Sequence, residues 1–293
     1  MMCPLVTVAV PVFNHEAYVE KTILSILNQT YNNIKLVVID DGSSDNSVEV
    51  IKELNERFDF VFVSQENRGC AATLNRAIRE FSEGKYFSIS ASDDYWAPDK
   101  IEKQVAYMEK NEDVPFAYNK NYFVDEDDRI LERETEMANS NLKGGEVFNE
   151  LIFQKFHPLP GYIFRRDLFD DEEVGLYKEG IWTEDFYLNL KIAKKYKIGF
   201  IDDYLSYYRY PSNFNDKLKN IRISEGHKFC IDMYKSEPVY AQAIKLWHFR
   251  NFVWYSSIKK HKLFAIKSML HSLSFWSEKD FYVALAKLVL LWR

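Results

Sequence analysis

Apolar residues in the first 110 positions follow two alternating rhythms. Short runs at Leu5–Val10, Ile34–Ile39, Phe60–Ser64 and Tyr86–Ser90 have the length of strands, and the second is rich in β-branched residues. Between them apolar positions recur three and four apart. Residues 16–29 place Val19, Ile23, Ile26 and Leu27 on one helical face, and 45–57 do the same with Val48, Ile51 and Leu54. Cys70–Phe81 reads as a third helix, and Pro98 opens a fourth running to about Lys110, because proline suits a first helical turn. This order predicts an α/β fold: a mostly parallel central sheet with helices on both faces. Right-handed crossovers bring the C-terminal ends of such strands to one edge, and ligands bind in the crevice outside them.

The residues at that edge carry the chemistry. Pro11-Val12-Phe13-Asn14 follows the first strand, Asp40-Asp41-Gly42-Ser43 the second, Glu66-Asn67-Arg68-Gly69 the third and Ser92-Asp93-Asp94 the fourth. Adjacent carboxylates at a strand end are hard oxygen ligands suited to Mg²⁺ or Mn²⁺, though aspartate is equally at home in turns. Ser44 or Asp45 reads as a cap for the second helix, a role that leaves Asp40 and Asp41 unexplained. Further along, Glu184-Asp185 precedes the apolar helix Phe186–Ile192. Acids there either complement the helix dipole, with Thr183 as cap, or supply a general base. His157 reads as a loop residue. Arg165-Arg166 is either a solvated pair or a grip for an acceptor's phosphate. Neither G-x-G-x-x-G nor G-x-x-x-x-G-K-[ST] occurs, which removes the dinucleotide and P-loop readings.

Composition and charge add a division of the chain. Of 293 residues 47% are hydrophobic and 28% charged, a folding composition. Residues 216–293 hold 14 Lys and Arg against 6 Asp and Glu, whereas 1–215 carry a net −14. A loop signal of Pro211, Ser212, Asn213 and Asn215 lies at the break. The expected organisation is therefore 1–215, with halves 1–110 and 111–215, followed by a helical region at 216–293. Three widely spaced cysteines (Cys3, Cys70, Cys230) argue against a disulfide framework and for a reducing, cytoplasmic setting. No apolar stretch approaches the ~18–20 residues that span a bilayer, and Leu5–Val10, stopped by Pro11, reads as a strand and not a signal peptide. An acidic body with no recognisable module excludes a nucleic-acid partner.

Five segments, in this order and spacing, resemble the inverting family 2 glycosyltransferases of GT-A fold. They are Val8–Asn14, Ser25–Tyr31, Val38–Asp45, Gln65–Gly69 and Ser92–Trp96 with Pro98-Asp99-Lys100. Glu184-Asp185 and Tyr208-Arg209 match more loosely, and 216–293 match nothing. The resemblance implies that Pro11, Phe13 and Asp41 line a nucleobase pocket with Arg68 near them. It implies that Asp93 touches the ribose or a metal, that Asp94 binds Mn²⁺ or Mg²⁺, and that Asp185 is the catalytic base. Where the family often has an acid two places before Asp93, this chain has Ala91, which leaves open which of Asp93 and Asp94 holds the ion. Glu184, His157, Arg165 and Arg166 are candidates on the acceptor side.

The expected reaction transfers a sugar, with inversion, from a nucleotide diphosphate sugar, most readily UDP-linked. The acceptor is a hydroxyl of a glycan or polyprenyl-diphosphate-linked glycan in surface-polysaccharide synthesis, such as O-antigen or capsule. Residues 244–293, rich in aromatics and lysine, read as helices packed on the catalytic domain or on a second subunit, giving a homo-oligomer. Their alternative is a peripheral surface on the inner leaflet of the membrane. Two other functions stay open: a sugar nucleotidyltransferase, which would carry a Gly-rich basic loop after the first strand, and a non-catalytic nucleotide-sugar-binding protein.

Overall fold

A computed structural model describes residues 3–210 and 221–290. The loop signal at 211–215, the expected boundary at 215, and Leu291, Trp292 and Arg293 lie outside the described residues. The chain divides into two compact units. Among the described residues the first comprises 3–148, 156–180 and 187–210, and the second 149–155, 181–186 and 221–290.

The first unit is built on one eight-stranded mixed sheet, in the order β3-β2-β1-β4-β7-β6-β8-β5. β1 (Val6–Val12), β2 (Ile34–Asp40), β3 (Val61–Ser64) and β4 (Tyr86–Ile89) are mutually parallel, as the alternation predicts. The crossovers are α1 (Val19–Leu27), α2 (Ser47–Arg57) and α3 (Cys70–Arg76), the last ending in one π-helical turn through Phe81. Val19, Ile23 and Ile26 of α1 and Ile51 and Leu54 of α2 join Val6, Val8, Val10, Leu36 and Val38 in the main core. Each fully buried aliphatic side chain of this kind contributes about 1.5–3 kcal/mol.

The second half of this unit was not resolved by periodicity. Besides α4 (Lys100–Lys110), the helix expected after Pro98, β5 (Tyr95–Trp96) and two long strands, β6 (Phe116–Val124) and β8 (Gly199–Arg209), extend the sheet. β7 (Ile163–Arg165) runs antiparallel between β4 and β6. The polar stretch after β6 forms a bridge from Ile130 back to Val124 and then α5 (Glu132–Asn139).

The second unit is helical. It holds α6 (Phe148–Ile152) from its second residue, the start of α7 (Glu184–Lys195), and α8 (Ile221–Asp232), α9 (Tyr240–Tyr255), α10 (Lys262–His271) and α11 (Lys279–Leu290). Phe252 and Tyr255 of α9, Ala265 of α10, and Phe281, Ala284 and Leu288 of α11 form its core. Arg250 of α9 donates to the backbone carbonyl of Gln154 at 3.2 Å and to its side-chain Oε1 at 2.9 Å. Segments 149–155 and 181–186, assigned from sequence to 1–215, therefore pack with these helices. Their partners lie far along the chain, where local patterning carries no signal. Among the described residues no helix is long and apolar enough to cross a membrane.

Candidate active site

The sheet opens where β1 outlives β4. Their ladder ends at the pair Ala9–Ile89, while β1 continues along β2 to Val12–Asp40. Backbone groups of parallel strands alternate sides. The Val12 carbonyl accepts from Asp41 N–H on the β2 side, and the Ala9 carbonyl accepts from Ser90 N–H on the β4 side. Pro11, two residues beyond Ala9, thus faces the side where no strand remains, and its missing N–H leaves no ladder bond unmade.

The opening is a cavity of about 550 Å³, a volume suited to a small-molecule ligand. Its walls are Pro11, Val12, Phe13 and His15 after β1, Asp41 after β2, and Asn67, Gly69 and Cys70 after β3. Ile89, Ala91, Ser92 and Asp93 follow from β4, and Pro160, Gly161 and Tyr162 precede β7. Phe13 is 46% exposed, an aromatic surface at the rim.

Two loops that edge the cavity are tied to each other. Asn14, at φ +55°, accepts from Ser44 N–H at 2.7 Å, and its own N–H donates to Ser43 Oγ at 2.9 Å. Glu16 N–H donates to Asp45, and Glu16 accepts in return from Asn46 N–H. Asp45 also accepts from Ser47 N–H at the start of α2, and these bonds hold its carboxyl below the usual range despite a desolvation cost. The N-cap position of α2 is Asn46, without a side-chain cap bond, so neither expected residue holds it; Asp45 takes the Ser47 N–H from one place earlier, and Ser44 serves Asn14.

Asp40 and Asp41 divide their labour. Asp40 is buried and accepts from Ser43 N–H and Ser64 Oγ, closing its own turn. Asp41 accepts at Oδ1 from Arg68 N–H (2.9 Å) and Gln65 Nε2 (2.7 Å), and at Oδ2 from Gly69 N–H (2.8 Å). It lines the cavity and also moors the loop beside it. Gly42, at φ +76°, permits this mooring, since a Cβ there would stand 2.8 Å from Asn67 N.

The two carboxylates after β4 are separated by burial. Asp93 lines the cavity, with Oδ2 3.9 Å from His15 Nε2, while His15 Nδ1 lies 2.7 Å from Ser92 Oγ. Asp94 is buried, and its Oδ1 accepts from the backbone N–H of Arg209 at 2.8 Å. Burial, and then the negative charge of Asp93, push the Asp94 carboxyl well above its ordinary pKa. The Arg209 side chain fastens this turn. It donates to the Asp93 carbonyl, to the carbonyls of Asp125 and Glu126, and to Asp128 Oδ1, and lies 4.3 Å from the Tyr18 ring centre. Thr22 Oγ1 stands 2.6 Å from the Asp94 carbonyl and 2.9 Å from that of Ser92. Of the two expected metal carboxylates, Asp93 is thus the one presented to the cavity and Asp94 the one engaged in the fold.

Among the described residues no cluster of three or more His, Cys, Asp or Glu side chains could hold a metal. The donor set still fits a hard divalent cation. Such ions take one or two protein carboxylates and complete their shell with water and substrate phosphates, and Asp93 supplies a cavity-facing oxygen.

Other expected residues lie elsewhere. Arg165 pairs with Tyr86 at the N-terminal end of β4, away from the cavity edge. Its guanidinium donates to the carbonyls of Met108, Asn111 and Val114, so its charge anchors the β6–β7 region. Arg166 is ion-paired with Asp170 at that same end. Arg68 contributes its backbone N–H to Asp41 with an exposed side chain, and the cavity wall there is Asn67, Gly69 and Cys70. His157 is exposed and outside the cavity lining, which this segment enters only at Pro160.

Glu184 and Asp185 open α7 within the second unit. Thr183, just before them, rests on Gly226 of α8, where a Cβ would come within 2.5 Å of its Oγ1; that hydroxyl lies 3.9 Å from Cys230 Sγ. Phe186 meets the His227 ring edge-on. Asp185 is exposed and accepts from Phe186 N–H at 2.7 Å. Burial, reinforced by the charge of Asp185, pushes the Glu184 carboxyl up to about 7.

The sequence reading missed the floor. Gly161, at φ +111°, sits on a buried polar network in which Gln104 Nε2 donates to the Gly161 carbonyl and to Asn119 Oδ1. Pro160-Gly161 in the sequence was the available signal, but it lies far along the chain from the four strands that periodicity marks, and β7 beside it gives no such pattern.

Comparison with known proteins places this arrangement. Residues 7–210 match the family described as Glycosyl transferase family 2. An uncharacterized glycosyltransferase of Methanocaldococcus jannaschii is 30% identical over 222 residues, covering 72% of this chain and 73% of that protein. One from Haemophilus influenzae is 28% identical over 239 residues (77% and 72%). A second from that organism is 42% identical over 113 residues, and the match takes in 45% of its length. Among solved structures, S. aureus TarS 1–349 superposes with a TM-score of 0.66 at 18% identity, covering 98% of this chain and 89% of that one. The Pyrobaculum calidifontis mannosyltransferase PcManGT, in complex with GDP-Man and Mn²⁺, gives 0.65 at 18% identity (99% and 85%). The shared architecture is the GT-A-like mixed α/β fold, and with most of the chain inside the family match, this protein belongs to glycosyl transferase family 2.

Proposed function

We propose that this glycosyltransferase moves a sugar from a nucleoside diphosphate sugar, UDP-linked, to a hydroxyl of a glycan or polyprenyl-diphosphate-linked glycan on the cytoplasmic side of a membrane, in surface-polysaccharide synthesis. The observation that carries the reading is the cavity at the end of β1 and β4, where the Asp93 carboxylate, 3.9 Å from His15 Nε2, faces a pocket rimmed by Phe13, Pro11 and Asp41. Related folds that hold UDP-GlcNAc (TarS) and GDP-Man with Mn²⁺ (PcManGT) support a nucleotide-sugar donor.

In this reading Phe13 and Pro11 pack against the base, and Asp41 accepts from its N–H while holding loop 66–69. Asp93, with phosphate oxygens, would hold Mn²⁺ or Mg²⁺, which neutralises charge on the departing diphosphate. Asp185 accepts the proton of the acceptor hydroxyl as that oxygen bonds to the anomeric carbon. The bond from this carbon to the diphosphate oxygen breaks on the opposite face, which inverts the configuration. A positioned base of this kind contributes on the order of 10²–10⁴-fold. Glu184 beside it favours a proton near neutral pH and limits repulsion at the helix start.

A thermal-shift screen of UDP, GDP and dTDP sugars with and without Mn²⁺ tests the donor, followed by transfer assays with the Asp185→Asn variant. The expected result is donor stabilisation retained and turnover reduced at least 10²-fold. Transfer at the parent rate would remove Asp185 as base.

A further inference from the structure

We propose that the outer face of α11, together with the exposed face of α10, docks on a bilayer rich in anionic lipid. The proposal is independent of the donor and base assignments.

α11 is apolar on two sides. Phe281, Ala284 and Leu288 face the core of the second unit. Tyr282, Val283, Ala286, Val289 and Leu290, spaced i, i+1, i+4, i+7 and i+8, form a stripe on the opposite arc and are all exposed. Val289 is 64% exposed and Leu290 75%. Lys279 and Lys287 lie within and beside this stripe, and the acids Glu278 and Asp280 are confined to its N-terminal end. α10 repeats the chemistry: Leu263 (77% exposed) and Leu270 lie seven apart with exposed Lys267 between them, and Trp276 follows at 63% exposed. A helix in water normally shows apolar residues on one stripe only. An apolar arc edged by lysine and aromatic rings is the composition of a surface that lies in the headgroup region, where lysine stems reach past buried carbon to phosphate.

Charge selects the occupant. Residues 221–290 hold 11 Lys and Arg against 5 Asp and Glu. A second copy offers these lysines only the acids Glu278 and Asp280 at one end of its own stripe, whereas an anionic leaflet presents negative charge along the whole face. An anionic leaflet attracts the same lysines, each worth about fivefold in partitioning.

The test is flotation of the full chain with neutral phosphatidylcholine vesicles and with vesicles containing phosphatidylglycerol, at low and high salt. The expected outcome is co-flotation with the anionic vesicles, loss of that binding at high salt, and about 25-fold weaker partitioning of Lys279→Gln/Lys287→Gln. The exposed pair Val289→Ser/Leu290→Ser should weaken binding while circular dichroism and melting stay unchanged. Equal flotation with both vesicle types, or no flotation, overturns the proposal using the parent protein alone. Concentration-dependent dimerisation abolished by Val289→Ser/Leu290→Ser, without vesicle binding, also overturns it and assigns the face to a second copy.

Discussion

Replacing Asp93 and Asp94 separately by asparagine should dissociate metal binding from stability. The Asp93 carboxylate is 30% exposed at the cavity, and His15 at 3.9 Å is its partner among the described residues. Its conversion to an amide should change folding stability by no more than about 0.5 kcal/mol, as for other partly exposed positions. Loss of an outer-shell partner of a metal ligand already costs about 10–100-fold in affinity. Loss of the ligand itself should reach about 100-fold or more, roughly 2.7 kcal/mol. Asp94 is the reverse case. Its Oδ1 takes the Arg209 N–H in a buried place, and an asparagine oxygen retains that bond as a neutral one. Because burial and the Asp93 charge already favour the uncharged carboxyl, the neutral amide should change stability by no more than about 1 kcal/mol, while Mn²⁺ affinity stays within a few-fold. Calorimetric titration of Mn²⁺ in the presence of UDP, with urea denaturation of the metal-free variants, measures both quantities. Equal loss of Mn²⁺ affinity in the two variants, with Asp94→Asn still folded, would refute the division of roles drawn from their burial.

Three further substitutions follow from the geometry. Asp41→Asn turns one acceptor into a donor facing a backbone N–H of Arg68 or Gly69. The expected cost is about 2–4 kcal/mol in urea denaturation, with weaker nucleotide binding, and a loss under 0.5 kcal/mol contradicts the mooring role. Gly161→Ala sets a Cβ at φ +111°, 2.6 Å from Ser206 Oγ, and should cost about 1–3 kcal/mol, lowering the melting temperature by several degrees; an unchanged melt contradicts the close packing. For Glu184→Gln the sign comes from a raised carboxyl. The folded form, at about 7, holds its proton more tightly than the unfolded form, at 4.5. The stability this gives is therefore lost as pH rises from about 5 to about 7. The variant should gain up to about 3 kcal/mol relative to the parent across that window, read from denaturation at pH 5 and pH 8, and a constant difference refutes it.

The nucleotide-binding half was legible because its signals are local. A buried parallel strand needs an apolar run, its crossover helix needs a stripe, and the turn between them needs Gly42 or Asn14. Each demand is met within a dozen residues, so β1 to β4 and the cavity residues Pro11, Phe13, Asp41 and Asp93 could be read in order. Asp93 and Asp94 show the limit. Adjacent in sequence and identical in type, they were assigned different environments by Arg209, 115 residues after Asp94. Arg165 shows the same limit: its guanidinium donates to carbonyls near the β6–β7 pairing, a placement that no local pattern announces. The floor at Gly161 and the packing of segments 149–155 and 181–186 with the C-terminal helices likewise depend on contacts between distant parts of the chain. Local pattern determined which residues lie on a strand, a helix or a turn. Tertiary structure alone decided which polar groups are consumed in holding the fold and which remain for a ligand, because a hydrogen bond takes its partner from space and not from sequence.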